Sequence, residues 1–326
     1  MENITETTVV TAGDRAFAWG ALLLVASMRM NGMRHSVVVG AMEWPEIMKE
    51  RIRALGGVTV RELASSRQCV ACQKPMLMGC DDVKTEWVCW ADADAVFVGD
   101  CSEWLTGDDP EEIVVRKYSP PPPLLTAGTL AVWRSDVEKL CGSALPESRL
   151  GETTVNNPFI VLHRRWRPFL ELWQAQIRQV IAPDVTTPWQ KKSAYFQTDE
   201  SVLGSLLCFA PEAPRVTEHY KANGSVDRSR YFAHFAYNPK PWQMWNPHSL
   251  KWHDVVMPVV DWLIAEKIVT SAELPLPLRR RWWPVCRAFA GAAPWVWRAI
   301  KLKRRIFHHC PPGTSPNSGA AFVRRE

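Results

Sequence analysis

The sequence predicts an α/β protein in which helices cover both faces of a β-sheet. Short β-branched segments alternate with longer segments whose apolar residues recur at helical spacing, and short turns join them. This order is typical of repeated strand–helix–strand units, which build a parallel sheet. Polar residues at Thr11–Asp14 and Asp92–Asp94 follow predicted strands, at the edge where such sheets bind their ligands.

The amino-terminal part of the chain carries the clearest pattern. Pro45 is a favourable first residue for a helix that runs to Leu55, and Gly56 and Gly57 end that helix. The predicted strands in this part are Thr7–Thr11, Ser36–Val39, Val58–Val60 and the first apolar run of Trp87–Val98, and the predicted helices are Ala16–Arg29, Pro45–Leu55 and Lys74–Gly79.

The middle of the chain is less regular. Ser119–Pro123 predicts a stiff extended loop because prolines follow one another there. Thr198 or Asp199 is the predicted N-cap of a helix that ends near Cys208, and we expect Asn156–Pro158 to precede a strand. The other predicted strands are Ile113–Val115, Thr129–Trp133, Phe159–Leu162 and Phe232–Phe235, and a further amphipathic helix is predicted at Pro168–Ile181.

Two aspartates divide the apolar stretch Trp87–Val98. Asp92 and Asp94 are one residue apart, so they point the same way in an extended segment and can reach a common point. Carboxylate oxygens at the end of a buried strand suit Mg²⁺ or Mn²⁺, and such ions often carry substrate phosphates. A pair of solvated aspartates in a turn is the alternative interpretation of this pattern.

Charge and tryptophan content set the carboxyl-terminal part apart. The chain of 326 residues has a net charge of +5, but residues 274–325 contain eleven Lys or Arg and no Asp or Glu. The body is therefore mildly acidic, and the tail is basic. Tryptophans interleaved with arginines are suited to the headgroup layer of an anionic membrane, whereas a nucleic acid is disfavoured because the tail has no groove-reading motif.

The cysteines predict a reducing compartment. Nine are scattered through apolar surroundings, which is not the pattern of a disulfide framework. Cys69 and Cys72 form a CxxC pair, yet no second pair follows at zinc spacing, so buried free thiols are the favoured interpretation. The amino terminus has no signal-peptide pattern. We therefore expect a cytoplasmic protein, with peripheral contact to the cytoplasmic membrane face through the tail.

Several of these motifs together resemble the GT-A-fold glycosyltransferases, and glycosyltransferase family 8 (the glycogenin and bacterial lipopolysaccharide galactosyltransferase type) in particular. The resemblance spans about residues 8–242. Its most specific motif is His234-x5-Lys240-Pro241-Trp242, which is similar to the family's His-xx-Gly-xx-Lys-Pro-Trp at identical spacing. The other matching segments are Gly20–Met28 with Phe17 before it, Asp92-Ala93-Asp94, Asn156–Ile160 and Asp199-Glu200.

The resemblance implies a GT-A fold, which is a Rossmann-like mixed sheet flanked by helices, and a role for each matching residue. Asp92, Asp94 and His234 would hold Mn²⁺ or Mg²⁺, and Lys240 would neutralise the leaving diphosphate of a donor such as a UDP-sugar. The catalytic set would be Asp199, Glu200 and Lys240. The residues implied for binding the nucleotide-sugar are Thr11, Asp14, Phe17, Lys74, Ala93, Asn156 and Trp242, with Asn156 toward the acceptor and Lys74 equally plausible as a solvated helix residue.

Three positions depart from the family pattern. Tyr237 replaces a glycine, which puts the close approach of backbone to phosphate in question. Glu200 replaces a glutamine and places a carboxylate near the reacting sugar, where it could stabilise positive charge or act as a nucleophile. Asn157-Pro158 replaces a small residue and a glycine, which predicts a differently shaped acceptor pocket.

The sequence thus predicts a metal-dependent retaining glycosyltransferase domain at residues 1–273 and a basic, Trp-rich extension at residues 274–326 that contacts an anionic membrane. The acceptor would be a glycan, a glycolipid or a protein. Two alternatives stay open. One is a sugar nucleotidyltransferase, although Thr11–Arg15 is not a glycine-rich phosphate loop. The other is a catalytically silent, membrane-bound scaffold with a transferase-like fold.

Overall fold

The computed structural model describes residues 6–66, 68–118, 121–145, 154–190, 192–218, 232–235 and 238–292. Strands and helices alternate through the amino-terminal half, as the sequence predicts. The strands are β1 (Thr7–Asp14), β2 (Ser36–Met42), β3 (Val58–Leu63), β4 (Trp87–Ala91), β5 (Ala95–Phe97), β6 (Glu112–Lys117), β7 (Val155–His163), β8 (Arg215–Thr217) and β9 (Phe232–His234). The helices are α1 (Ala18–Met30), α2 (Glu46–Ala54), α3 (Lys74–Met78), α4 (Ala127–Cys141), α5 (Arg167–Val180), α6 (Thr198–Phe209) and α7 (His253–Ala265).

The main sheet has seven strands in the order β3-β2-β1-β4-β7-β6-β8. Strands β1 to β4 are parallel neighbours, but β7 runs antiparallel to both β4 and β6. The parallel order predicted for the amino-terminal strands is therefore confirmed, and β7 makes the whole sheet mixed, as the family resemblance implies. A second ladder pairs β5 with β9 antiparallel; this small sheet carries His234, and Asp94 directly precedes its first strand.

Helices cover both faces of the sheet, because its central strands are apolar on both sides. One core lies under α1, α2, α7 and the β5–β9 ladder, and the other lies under α3, α4, α5 and α6. Along β1 successive side chains alternate between the two cores, so that Val9 belongs to the first and Val10 to the second. The sheet is thus buried on both faces, as the sequence predicts.

One predicted strand is a helix. Thr129–Trp133 lies inside α4, whose first turn is capped by Thr126 through a bond from the Thr129 backbone N–H. Leu130, Trp133 and Val137 are the buried residues of α4, and their spacing of three and four residues is helical. Thr, Val and Trp favour strands locally, but the cap and the helical period decide the outcome here.

Two predictions around the site also need correction. Asn156–Pro158 lie within β7 and not before it, since the strand begins at Val155. Neither Thr198 nor Asp199 caps α6: the N-cap is Gln197, which makes no side-chain cap bond. Thr198 is the first helical residue and has a positive φ of 38°, a strained value for a β-branched side chain.

The first part of the predicted extension packs on the body. Leu278 is fully buried in the core beside α7, and the Trp283 ring stacks on the His253 ring with centroids 3.4 Å apart. Trp245 donates from its indole to the Pro277 carbonyl at 2.8 Å. Among the described residues, no helix is long and apolar enough to cross a membrane. Cys69, Cys72, Cys80, Cys89, Cys141 and Cys286 are free thiols.

Gly20 lets α1 approach the site. A methyl group there would overlap with the Ala93 carbonyl oxygen and with the Trp242 ring. We predict that Gly20→Ala lowers the free energy of unfolding by about 1–3 kcal/mol, the usual cost of overpacking. Urea denaturation measures this. Gly128→Ala, at an exposed glycine of α4 with room for a methyl group, is the matched control and should be neutral or stabilising by up to about 1 kcal/mol. Equal stability of both variants would contradict the close approach.

Candidate functional site

Backbone pairing brings residues that are distant in sequence to one edge of the sheet. Asp92 follows the last residue of β4, and its N–H bonds to the Pro158 carbonyl of β7 at 2.8 Å. His234 pairs with Ala95 in the β5–β9 ladder, and the Phe235 N–H bonds to the Asp94 carbonyl at 2.7 Å. The ladder therefore places the imidazole beside the two carboxylates, as the spacing of the motifs predicts.

Asp92, Asp94 and His234 form a compact set of possible metal ligands. One ligand atom from each lies within 4.8 Å of the others. His234 Nε2 is 3.2 Å from Asp94 Oδ1 and 3.9 Å from Asp92 Oδ2. Adjacent ligands of an octahedral ion with bonds near 2.1 Å are about 3 Å apart, so these three residues fit Mn²⁺ or Mg²⁺ with small side-chain adjustments.

Charge partners stabilise this set. Burial raises the pKa of Asp94, but His234 and Lys240 outweigh it and hold that pKa below its ordinary value. Burial lowers the pKa of His234, while Asp94 outweighs it and raises that pKa. Lys240 Nζ donates to Asp94 Oδ2 at 2.5 Å and to the Phe235 carbonyl at 2.6 Å. Lys240 is thus on the metal side of the site, where the sequence places it.

Lys74 is buried in the centre of the site. Its ammonium lies 3.2 Å from Asp92 Oδ1 and 3.2 Å from Asp199 Oδ2, and it donates to both the backbone carbonyl and the amide oxygen of Asn157 at 3.1 and 2.8 Å. It also lies over the Trp90 ring, whose indole donates to Asp92 Oδ1. Burial lowers the pKa of Lys74, but Asp199 and Asp92 together raise it above its ordinary value.

The start of α6 supplies two further carboxylates. Asp199 is buried and accepts from the Asn157 amide at 2.9 Å, as well as facing Lys74. Glu200 accepts from the Tyr118 hydroxyl at 2.7 Å and from the Asn157 backbone N–H at 3.0 Å. Burial raises the pKa of Glu200 to about 7, although these two hydrogen bonds oppose the rise. Glu200 therefore has a carboxyl group that changes charge near neutral pH.

The residues predicted to bind the nucleotide lie around the end of β1. Asp14 accepts from the backbone N–H groups of Ala16 and Phe17 and so shapes the turn into α1. The Phe17 ring meets the Trp242 ring edge to face, with centroids 6.0 Å apart, and Lys240 Nζ lies over Phe17 at 5.8 Å. An aromatic surface beside a cation is thus present on this side of the aspartates.

Three of the predicted nucleotide-binding residues are inside the protein. Ala93 is buried beneath Gly20, and Trp242 is anchored by a bond from its indole to the Ala16 carbonyl at 2.8 Å. Thr11 is fully buried, and its hydroxyl has no hydrogen-bond partner among the described residues. Tyr237, the departure from the family glycine, lies outside the described residues.

Sequence reasoning missed Tyr118, Gln197 and the central role of Asn157. Tyr118 follows β6, and a polar residue after a strand is a signal that could have identified it. Gln197 directly precedes the predicted Asp199-Glu200 helix start. Asn157 was noted only as a change in the family pattern, yet it contacts Lys74, Asp199 and Glu200.

The fold is that of solved glycosyltransferases. The chain matches the WbbM bifunctional glycosyltransferase with a TM-score of 0.50 and 16% identity, over 80% of this chain and 51% of that one. It thus spans about half the length of WbbM. It also matches the galactosyltransferase LgtC in complex with donor and acceptor sugar analogues, with a TM-score of 0.49 and 13% identity, over 85% of this chain and 99% of that one.

A third match is the glycosyltransferase GlyE of Streptococcus pneumoniae TIGR4, with a TM-score of 0.49 and 12% identity, over 80% of this chain and 64% of that one. No protein-family model matches the sequence, and no curated protein matches it either. The resemblance to glycosyltransferases is therefore confirmed at the level of the fold.

Glu200 predicts a pH dependence of stability. The folded protein keeps the Glu200 carboxyl protonated up to about pH 7, whereas the unfolded chain does so only up to about pH 4.5. The stability that this protonation contributes is therefore fully present below pH 4.5 and is lost as pH rises toward 7. Glu200→Gln should remove this pH dependence. The free energy of unfolding of the variant, minus that of the parent, should therefore rise between pH 4.5 and 7 and stay constant above pH 7. Urea unfolding at several pH values tests this. Asp108→Asn, at an exposed carboxyl, controls for the lost charge; parallel curves for Glu200→Gln and the parent would contradict it.

Proposed function

We propose that this protein is a metal-dependent, retaining glycosyltransferase that transfers a hexose from a nucleotide-diphosphate sugar, a UDP-sugar, to a glycan, glycolipid or protein acceptor. The observation that carries the proposal is the convergence of Asp92, Asp94, His234 and Lys240 at the ligand-binding edge of a glycosyltransferase fold. The retaining outcome and the UDP-sugar follow from the family resemblance of the motifs.

Asp92, Asp94 and His234 would hold Mn²⁺ or Mg²⁺. A bound divalent ion supplies Lewis-acid stabilisation of the charge that develops on a leaving diphosphate. Two carboxylates and one imidazole leave coordination positions for phosphate oxygens and water, as nucleotide-metal sites require. The imidazole favours Mn²⁺ over Mg²⁺, since a nitrogen ligand suits the softer ion.

Lys240 is suited to receive the diphosphate. Its ammonium lies beside Asp94, and the Phe17 ring next to it, backed by the buried Trp242, offers an aromatic surface to the nucleotide. The Lys240 ammonium would exchange its contact with Asp94 for a contact with a phosphate oxygen. It would then be paired before and after the nucleoside diphosphate leaves, so that no unpaired charge is buried at any stage. Asp14, Thr11 and Ala93 complete the proposed nucleotide side, through the turn between β1 and α1 and the backbone at Ala93.

Lys74, Asp199, Glu200 and Asn156 form the proposed sugar and acceptor side. Lys74 is only 2% exposed and is held by Asp92, Asp199 and Asn157, which supports a role in fixing these groups near the donor sugar. Glu200 and Asn156 are half-buried and bonded to each other at 3.1 Å. A carboxylate there can stabilise oxocarbenium charge or attack the anomeric carbon.

The products separate this proposal from its alternatives. A glycosyltransferase releases a free nucleoside diphosphate from a nucleotide-sugar, whereas a sugar nucleotidyltransferase releases pyrophosphate from a nucleoside triphosphate. A silent scaffold with no nucleotide site gains no thermal stability from UDP or GDP together with Mn²⁺. Donor hydrolysis over a panel of nucleotide-sugars, pyrophosphate release from nucleoside triphosphates, and thermal shifts recorded in parallel together distinguish all three.

We predict that Asp92→Asn and Asp94→Asn each reduce transfer by more than about a hundredfold, because even the outer partners of metal ligands are worth 10–100-fold. Donor hydrolysis with Mn²⁺ measures the loss, and titration calorimetry should show weaker Mn²⁺ binding in the presence of UDP. Asp108→Asn serves as the control at an exposed acid. Full activity of the parent protein in EDTA would refute metal dependence.

We further propose that the extension at residues 274–326 contacts an anionic membrane surface. Exposed apolar side chains recur there at helical spacing, at Trp282, Val285 and Phe289, on the helical segment that includes residues 283–292. Trp283 on the same segment packs inward on Trp245 and His253, so the segment is apolar on two faces. Arginines flank the exposed face without any acid between residues 274 and 292, which matches negative headgroups.

The triple variant Trp282→Ser, Val285→Ser, Phe289→Ser should bind phosphatidylglycerol vesicles about a hundredfold more weakly than the parent, because each side chain loses on the order of 1 kcal/mol of burial. Vesicle sedimentation measures this, and binding of the parent should weaken in high salt. Leu124→Ser with Val132→Ser, at exposed apolar residues of the body, is the matched control. Undiminished vesicle binding by the triple variant would show that this face is not the contact.

A further inference from the structure

The hydroxyl of Tyr118 is the centre of a partly buried hydrogen-bond cluster beside the proposed sugar site. It lies 2.7 Å from Glu200 Oε1, 2.7 Å from Gln197 Nε2 and 2.9 Å from Asn156 Nδ2. Three elements meet in this cluster, since Tyr118 follows β6, Asn156 is on β7, and Glu200 is in the first turn of α6. A single oxygen thus joins two strands and a helix.

The direction of each hydrogen bond in the cluster follows from its partners. Arg116 donates to Asn156 Oδ1 at 3.4 Å, which orients the Asn156 amide so that its nitrogen faces Tyr118. The Gln197 amide nitrogen donates to both Tyr118 and Glu200. Because the Tyr118 oxygen accepts from two amides, its own proton goes to Glu200 Oε1.

The second oxygen of Glu200 is held as well. Oε2 accepts from the Asn157 backbone N–H at 3.0 Å and from Asn156 Nδ2 at 3.1 Å. Within the described part of the chain, every hydrogen-bond partner of the Glu200 carboxyl is therefore a donor. A carboxylate satisfies all of these donors, whereas a protonated carboxyl would oppose one of them with its own hydrogen.

We propose that Tyr118 is a positioning residue of the transfer site, whose hydroxyl fixes the orientation of Glu200 and stabilises its ionised form beside Asp199. The proposal rests on the proposed function, because it assigns Glu200 a role in sugar transfer. Tyr118 itself acts only through Glu200 and contacts no other residue proposed to face the sugar except Asn156.

Charged groups around Glu200 are consistent with this role. Asp199 on the same helix raises the pKa of Glu200, and Lys74 on α3 lowers it, while Arg116 on β6 reaches Glu200 only through Asn156. Burial is the largest cause of the rise in the pKa of Glu200 to about 7, and the Tyr118 hydrogen bond opposes it. Burial and Glu200 raise the pKa of Tyr118 itself, so the phenol remains a donor across the neutral range.

Removal of the hydroxyl therefore raises the pKa of Glu200. A hydrogen bond to a charged group changes the pKa of that group by about one unit or slightly more. Tyr118→Phe should therefore raise the pKa of Glu200 by about that amount. If transfer needs the Glu200 carboxylate, the acid limb of kcat/KM moves by the same amount. The variant should lose about tenfold in activity near pH 6 and little at pH 9.

The experiment has two arms on the full-length protein. In the first, infrared difference spectra of the carboxyl stretch follow the ionisation of Glu200 with pH without any substrate, and Glu200→Gln identifies the band. In the second, the pH profile of donor hydrolysis with UDP-sugar and Mn²⁺ is measured for the parent and for Tyr118→Phe. Tyr195→Phe is the matched control, because the Tyr195 hydroxyl also bonds to an amide and a carboxylate, those of Gln176 and Asp136, and not to Glu200.

The proposal is supported if Tyr118→Phe raises both the pKa of Glu200 in the infrared spectra and the pH of the acid limb of donor hydrolysis, and if Tyr195→Phe changes neither. An unchanged Glu200 band, or an equal loss of activity at every pH, overturns it. Should Tyr118→Phe fail to fold, Gln197→Met removes a donor from the same cluster, and a Glu200 band that titrates as in the parent then overturns the proposal. If the parent shows no transfer, the proposed function fails, and the infrared arm still decides whether Tyr118 controls Glu200.

Discussion

The buried ammonium of Lys74 is the contact on which the geometry of the site depends. It ties Asp92 at the end of β4 to Asp199 at the start of α6, and Asn157 of β7 completes its surroundings. Loss of one partner of a buried ion pair leaves an uncompensated charge, so the three elements are held to one arrangement. Trp90, over which the ammonium lies, excludes water from one side of this centre.

Two buried lysines pair three of the four carboxylates between Lys240 and Glu200. Lys240 faces Asp94, Lys74 faces both Asp92 and Asp199, and Glu200 stands at the end of the row among neutral donors. Burial raises the pKa of Glu200 to about 7. Neutral hydrogen-bond donors stabilise the Glu200 carboxylate, whereas Lys240 and Lys74 stabilise the carboxylates of the three aspartates.

The sequence was informative where local pattern and tertiary structure agree. The strands of the amino-terminal half and the Asp92–Asp94 pair could be predicted because apolar runs and their spacing are properties of the chain alone, whereas His234 was predicted through the family resemblance of its motif. Thr129–Trp133 was assigned wrongly because β-branched and aromatic residues favour strands locally, while burial of Leu130, Trp133 and Val137 depends on packing. The antiparallel direction of β7 and the cluster around Tyr118 arise from contacts between distant segments, which no periodicity reveals.

The β5–β9 ladder has a consequence for how the protein folds. Lys240 and Asp94 are 146 residues apart in sequence. The β5–β9 ladder, which brings the segments before Lys240 and after Asp94 together, has three residue pairs. Pairing of distant segments requires closure of a long loop, which is slow compared with formation of local strand–helix units. During synthesis the amino-terminal strands can therefore pair well before His234 leaves the ribosome. The metal-ligand set is completed late, and a chain that stops short of β9 can build most of the sheet without it.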